Sequence, residues 1–342
     1  MDNRFLTLED LGNLPAPKWL IEGLFEKDAL VMLVGPPAAF KSFLAIDWAL
    51  SIALGRPWNG RATEPSRVLY ALGEGKASLL KRIEAWIWFQ QLTEAERRKL
   101  NANFRVTFDV PQFAVAREVT EFLDDLDADG FDPGLLIIDT LARSFVGRDE
   151  NSQTDAGLWV ESADRLRQRG MAVLALHHTK KNTEFGLQYR GSSALQGAMD
   201  TAFTLQRDPD GFKGYGKLYC SKQKDHEEPD DIWLRREHVR PPGNEEGSII
   251  LLEQLQPGED TIKEQEQQQA AIDELILGLL ADPTFATDRA RAKLLAEKAN
   301  MLEGTAQTRI SRARRKIDAE YSVSGGSSEV PRERVSPREI SG

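Results

Sequence analysis

Along the first 255 residues, short unbroken apolar runs alternate with longer stretches in which apolar positions return every three or four residues. Unbroken runs are what strands buried on both faces require, and the helical return marks elements with one packed side. The pattern predicts strands at 29–34, 67–72, 104–108, 135–139, 171–177, 201–206 and 217–221, with antiparallel additions at 232–235 and 248–252. Helices are expected at 41–54, 76–90, 117–126, 155–169 and 192–199. The fold class that follows is α/β, a mostly parallel sheet flanked by helices. This core is assigned to residues 29–255, preceded by an N-terminal arm, 1–28, whose Pro15, Pro17 and Trp19 suit an extended segment packing onto it.

Beyond the core the pattern changes. Residues 256–269, rich in Glu and Gln, read as a linker running into a helix, and residues 270–320 as a small all-α module of helix-turn-helix or winged-helix type. Its last helix is expected to start after Gly304 with Thr305 as N-cap, placing Ala306, Ile310, Ala313 and Ile317 on one stripe. Residues 321–342 carry too few apolar side chains to order themselves and read as a disordered tail.

Charge sharpens this division. The chain carries a net charge of −10, which argues against a protein that coats nucleic acid with its whole surface. Between Asp288 and Lys316, however, nine Lys/Arg face three Asp/Glu, so the rest of the chain stands at −16. No apolar run approaches the length that spans a bilayer, and the chain starts without the apolar segment of a signal peptide, so no membrane partner and a cytoplasmic address are expected. A single cysteine, Cys220, excludes an internal disulfide and suits a reducing compartment.

The polar residues that end the apolar runs carry the candidate chemistry. Gly35, Pro36, Pro37, Ala38, Ala39, Phe40, Lys41 and Ser42, followed by Phe43, stand between the first strand and the first helix. In that position backbone N–H groups curl around phosphates and the helix dipole faces them. Lys41 is placed to reach the β- and γ-phosphates of ATP and Ser42 to hold Mg²⁺. The usual motif has glycine where Phe40 stands. Asp139, after four aliphatics, is the acid expected to organise Mg²⁺, and Glu74, between Gly73 and Gly75, the carboxylate that polarises the attacking water. Of His177 and His178, which point to opposite faces, His178 is assigned to sense the γ-phosphate and His177 to the core. Lys180, Lys181 and Arg190 follow in a polar loop suited to a nucleic-acid backbone, with Tyr189 or Phe185 placed to stack on bases. Lys222 and Lys224, two apart on a strand, need an anion between them.

Together these segments, with Arg190-Gly191-Ser192-Ser193, resemble the RecA/DnaB-type P-loop ATPases over residues 19–236, and within them the RepA-like hexameric helicase branch found in phages and mobile elements. The resemblance implies a RecA-like core, ATP with Mg²⁺ bound between subunits of a homo-oligomeric hexameric ring, and single-stranded DNA in its channel. It implies that Lys41 and Ser42 bind phosphate and Mg²⁺, that Asp139 is the second acid, Glu74 the catalytic carboxylate and His178 the sensor, and that Lys222 and Lys224 are basic fingers supplied in trans. Phe40, and Lys224 where many relatives carry arginine, depart from the family pattern. Arg309, Arg312 and Arg315 of the last helix suit duplex DNA or a replication partner protein. The expected function is an ATP-driven helicase or translocase on single-stranded DNA in replication of a phage, plasmid or mobile element. The alternative is an ATP-switched DNA-binding regulatory or recombination-accessory protein without strand separation.

Overall fold

The computed structural model describes residues 5–13, 16, 18–179, 192–209, 212–244, 246–254 and 259–324. The chain divides into two compact units, Met1–Gly258 and Glu259–Gly342. The first contains α1 (Leu8–Gly12), β1 (Trp19–Ile21), β2 (Phe25–Glu26), β3 (Leu30–Gly35), α2 (Lys41–Leu54), β4 (Val68–Leu72), α3 (Lys76–Phe89), α4 (Glu94–Asn103) and β5 (Phe104–Thr107). There follow α5 (Ala116–Asp129), β6 (Leu135–Asp139), a 3₁₀ turn (Leu141–Phe145), α6 (Gln153–Arg167), β7 (Ala172–His178), α7 (Ser193–Ala198), β8 (Thr201–Arg207), β9 (Tyr215–Gln223), β10 (Ile232–Val239) and β11 (Ser248–Gln254).

Among the described residues, nine strands form one sheet in the order β11-β10-β9-β8-β3-β7-β6-β4-β5. From β8 to β5 every pairing is parallel. Antiparallel pairing begins at β9, one strand earlier than the apolar pattern suggests. Alternation divides the buried side chains between two layers. Val31, Leu33, Tyr70, Ile137, Leu174 and Leu176 pack with α2, and Leu30, Met32, Val34, Ile138, Val173 and Ala175 pack with the layer of α5 and α6. This two-sided burial is why the strands read as unbroken apolar runs.

Two expectations change at the edges of this core. The arm is not simply extended: it holds α1 and the β1–β2 hairpin, whose Leu20, Ile21, Leu24 and Phe25 are fully buried. Helix α4 is absent from the apolar pattern because only Leu100 of it is buried. Its task is polar: Lys99 Nζ donates to Leu54 O (2.6 Å) and Asn103 Nδ2 to Ala53 O (2.9 Å), satisfying carbonyls that the end of α2 leaves open. Its one sequence signature is the Thr93/Glu96 capping box.

The second unit consists of α8 (Glu259–Ala281), α9 (Asp288–Lys298) and α10 (Glu303–Ser324) around Ile276, Leu279, Ala292, Leu295, Ala306 and Ile310. The expected linker 256–269 is therefore mostly helix, because its Glu and Gln are good helix formers that need no apolar face. Helix α10 starts at Glu303, so Thr305 lies inside its first turn instead of capping it, and it extends past Tyr321 to Ser324. Among the described residues no helix is long and apolar enough to cross a membrane.

One buried carboxylate ties the first unit together. Asp47, in the middle of α2, accepts the indole N–H of Trp58 at 2.7 Å and of Trp86 at 2.6 Å. Burial pushes its carboxyl up to about 6, against the opposing pull of the two indoles. It fastens α2 to α3 and to the loop that follows α2. Replacing Asp47 by alanine strips the acceptor from two buried donors, so the unfolding free energy is expected to fall by about 2–4 kcal/mol. Asp47→Asn, which keeps one acceptor, is expected to cost less; urea denaturation of both variants checks the order.

Candidate functional site

The turn that leaves β3 is shaped by close backbone approach. A Cβ on Gly35 would lie 2.5 Å from Leu205 O of β8, so only glycine fits there. Two non-glycine residues of the turn, Ala38 (φ +61°) and Phe40 (φ +69°), adopt the left-handed conformation. For an L-residue with a side chain that conformation costs about 1–2 kcal/mol. Phe40 thus keeps the backbone that the motif glycine takes at no cost. Its ring lies partly buried against the core, 5.9 Å from the Phe43 ring, with Arg236 4.6 Å and Arg207 5.5 Å from its centroid.

Lys41, the first residue of α2, is buried. Its ammonium donates to Gly35 O (2.8 Å) and Pro36 O (3.0 Å) and lies 3.1 Å from His178 Nδ1. Three protons meet three acceptors, which requires an unprotonated Nδ1 on His178. Consistently, burial first, then the Lys41 charge, hold the His178 pKa below its ordinary value. Burial lowers Lys41 itself to about 8, with Asp139 opposing. Asp139, also buried, accepts the Tyr70 hydroxyl at 2.8 Å, and the Ser42 side chain stands near enough to Tyr70 to pull its pKa down. Burial and the neighbouring Asp139 drive the Tyr70 pKa well above its ordinary value.

Period-two alternation brings these groups together. Tyr70 in β4, Asp139 in β6 and His178 in β7 share the parity of the residues that pack with α2, and β7 lies between β3 and β6. His177 is buried, as the core assignment requires. Tyr70 is a member of the candidate site that the sequence reading missed. A tyrosine in an apolar strand looks like core, and the available signal was its parity with Leu72, which is registered against Asp139.

Glu74 lies just beyond β4, exposed, and accepts Arg143 Nε at 2.9 Å. Gly73 makes this pairing possible. A Cβ there would sit 2.4 Å from Arg143 Cγ, and its N–H donates to Asp139 O at 2.7 Å. Lys222 Nζ donates to Gln196 O and Gly197 O, both at 2.9 Å, in the last turn of α7, and Lys224 Nζ lies 3.4 Å from Asp200 Oδ1. Lys224 lies one residue past the end of β9, so the two lysines do not share a strand as expected, yet within this chain both meet oxygens of residues 196–200. Lys180, Lys181 and Arg190 lie outside the described residues. In the second unit, Arg309 and Arg312 line a groove with Ile276, Leu277, Ala313 and Lys316, and Arg315 Nε bonds Ser311 O of its own helix.

Known proteins resemble the chain to differing extents. Among solved structures, the RadB recombinase superposes with a TM-score of 0.45 at 14% identity, over 61% of this chain and 87% of that one. A KaiC-like protein from the archaeon Pyrococcus horikoshii OT3 superposes with a TM-score of 0.46 at 13% identity, over 68% of this chain and 93% of that one. No curated protein sequence matches the chain. The family model described as an AAA domain matches residues 4–184, which span the loop, Lys41, Glu74, Asp139 and His178. With that match over more than half its length, the chain belongs to the AAA domain family.

Proposed function

We propose that this chain binds ATP with Mg²⁺ at the head of α2 and hydrolyses it to drive movement or strand separation on single-stranded DNA. The observation that carries the nucleotide reading is the single cluster in which Lys41 meets His178 while Asp139 holds the Tyr70 hydroxyl near Ser42. The residues present fit both groups. The first turn of α2 offers helix N-terminal amides and a buried ammonium to phosphate, and Ser42 with Asp139 offers an oxygen donor set for a hard cation. Mg²⁺, when bound, supplies neutralisation of charge on the β- and γ-phosphates. Lys41 exchanges the Gly35 and Pro36 carbonyls for phosphate oxygens, and His178 stands beside it to register that exchange. Glu74, steered by Arg143, positions and deprotonates the attacking water.

The DNA half of the reading is supported by the family resemblance and by the basic residues Lys180, Lys181 and Arg190. We place the hydrolytic centre between subunits of a homo-oligomeric ring, with Lys222 and Lys224 serving a neighbour's nucleotide. The second unit, through Arg309, Arg312 and Arg315, is proposed to engage duplex DNA or a replication partner.

Purified full-length protein is expected to hydrolyse ATP faster with single-stranded DNA and to displace a strand from a forked duplex. Stimulation without displacement would favour the ATP-switched regulatory reading, and no hydrolysis under either condition would overturn both. Lys41→Ala should abolish nucleotide binding, whereas Glu74→Gln should retain it and slow turnover by about a hundredfold or more.

The Lys41 pKa of about 8 gives a second test. Below it the free protein presents an ammonium to phosphate, and above it the amine is neutral. The nucleotide complex stabilises the protonated form, so affinity should fall as pH rises through about 8, with proton uptake on binding there. Titration calorimetry with ADP from neutral to alkaline pH, in buffers of differing ionisation enthalpy, measures both. An affinity that stays flat through this range would break the link between Lys41 protonation and phosphate binding.

A further inference from the structure

A bulky aromatic in left-handed conformation at the head of α2 keeps that backbone only if something holds its ring. The residues that do so come from far along the sequence. Arg207 is the last residue of β8, the strand beside β3, and Arg236 lies on β10. Both guanidinium groups approach the Phe40 ring, at 5.5 and 4.6 Å from its centroid. Asp208, in the turn between β8 and β9, accepts Arg207 Nε at 3.0 Å on one oxygen. Its other oxygen accepts Arg236 Nη2 at 2.9 Å and the Gly214 N–H at 2.7 Å. The ends of this turn are tied as well, since Asp208 N–H donates to Tyr215 O (2.8 Å) and Arg236 N–H to Gly214 O (2.9 Å).

We propose that Arg207, Asp208 and Arg236 are positioning residues of the phosphate loop: a carboxylate-bridged arginine pair that grips the Phe40 ring and so fixes the loop backbone in its nucleotide-receiving shape. The proposal rests on the ATP-binding reading above. Two guanidinium groups so close together repel, and Asp208 between them makes the pairing tolerable. Arg236 is half-buried, so its attraction to the π face is less screened by water than at an exposed site. The side chain of Phe40 is thereby held by the antiparallel part of the sheet, while its backbone belongs to the loop. Glycine at position 40 would need no such grip, because left-handed torsions come to it without steric cost.

That difference supplies the test. Binding of a fluorescent ADP analogue is measured for full-length wild type, Arg236→Gln, Asp208→Asn, Phe40→Gly and the Phe40→Gly/Arg236→Gln double variant, with thermal unfolding reporting on folding. In the wild-type background Arg236→Gln and Asp208→Asn should each weaken binding about fivefold, equivalent to about 1 kcal/mol. Turnover at saturating ATP should fall less than affinity does, because Lys41, Glu74 and Asp139 themselves are untouched. In the Phe40→Gly background Arg236→Gln should change affinity by no more than about twofold, a few tenths of a kcal/mol. An equal loss in both backgrounds would overturn the proposal and place the arginine against the nucleotide itself. Unchanged affinity in correctly folded clamp variants would overturn it as well. Should Arg236→Gln fail to fold, Asp208→Asn and its double variant with Phe40→Gly carry the same comparison. A wild type that binds no nucleotide is a separate result, and it takes down the ATP reading together with the clamp.

Discussion

The insertion of β7 between β3 and β6 is the constraint on which the candidate site depends. The three strands run parallel, with Gly35 registered against His178 and Asp139 against Leu176. His178 therefore stands two residues beyond Asp139 along the common edge, beside the turn that leads into α2. An ammonium as buried as that of Lys41 would cost several kcal/mol if unpaired. It is tolerated because the end of β3 offers two carbonyls and the end of β7 offers an imidazole nitrogen. Moving β7 by one place in the sheet would leave Lys41 without its third acceptor and would bring Asp139 directly beside the loop.

Rigidity at the head of α2 comes from its other end and its flanks. Of the fourteen residues of α2, all but Ser42 and Phe43 are buried, so the helix is packed nearly all round. Polar contacts at defined points keep that packing in register: Asp47 with the indoles of Trp58 and Trp86, and Lys99 and Asn103 of α4 with the terminal carbonyls. The loop is consequently anchored to an element that does not slide. Loop strain at Ala38 and Phe40 is affordable only on such a base.

The sheet was legible in the sequence because burial on both faces turns each strand into an apolar run, and because each chemical group stands where a run ends. Lys41, Ser42, Asp139 and His178 are all of this kind, and the structure brings them together. What was not legible shares a different origin. Tyr70 and Asp47 are polar atoms inside apolar elements, and their meaning lies in partners on other strands and helices. Helix α4 carries almost no apolar face, since it works through hydrogen bonds to α2. Phe40 looked like a damaged glycine position because Arg207, Asp208 and Arg236, which accommodate it, come from distant β-strands and a turn. Periodicity reports on what an element buries, and it is silent on side-chain pairs that only the tertiary fold creates.

The two lysines near the end of α7 differ in what they would give up to serve a neighbouring subunit. Lys222 already donates to two backbone carbonyls and is partly buried, and burial holds its pKa below the ordinary lysine value. Releasing both bonds costs about 1–3 kcal/mol, which a charge-assisted bond to phosphate recovers only at good geometry. The Lys224 side chain has one longer contact to Asp200 and is 59% exposed, while its backbone N–H donates to Asp200 O at 3.0 Å. Asp200 does not depend on Lys224, because it also accepts the Leu30 N–H at 2.9 Å and pairs with Arg167 at 2.8 Å. Lys224 is therefore the member of the pair that leaves its site at least cost, and Lys222 the one that keeps the turn beneath it in place.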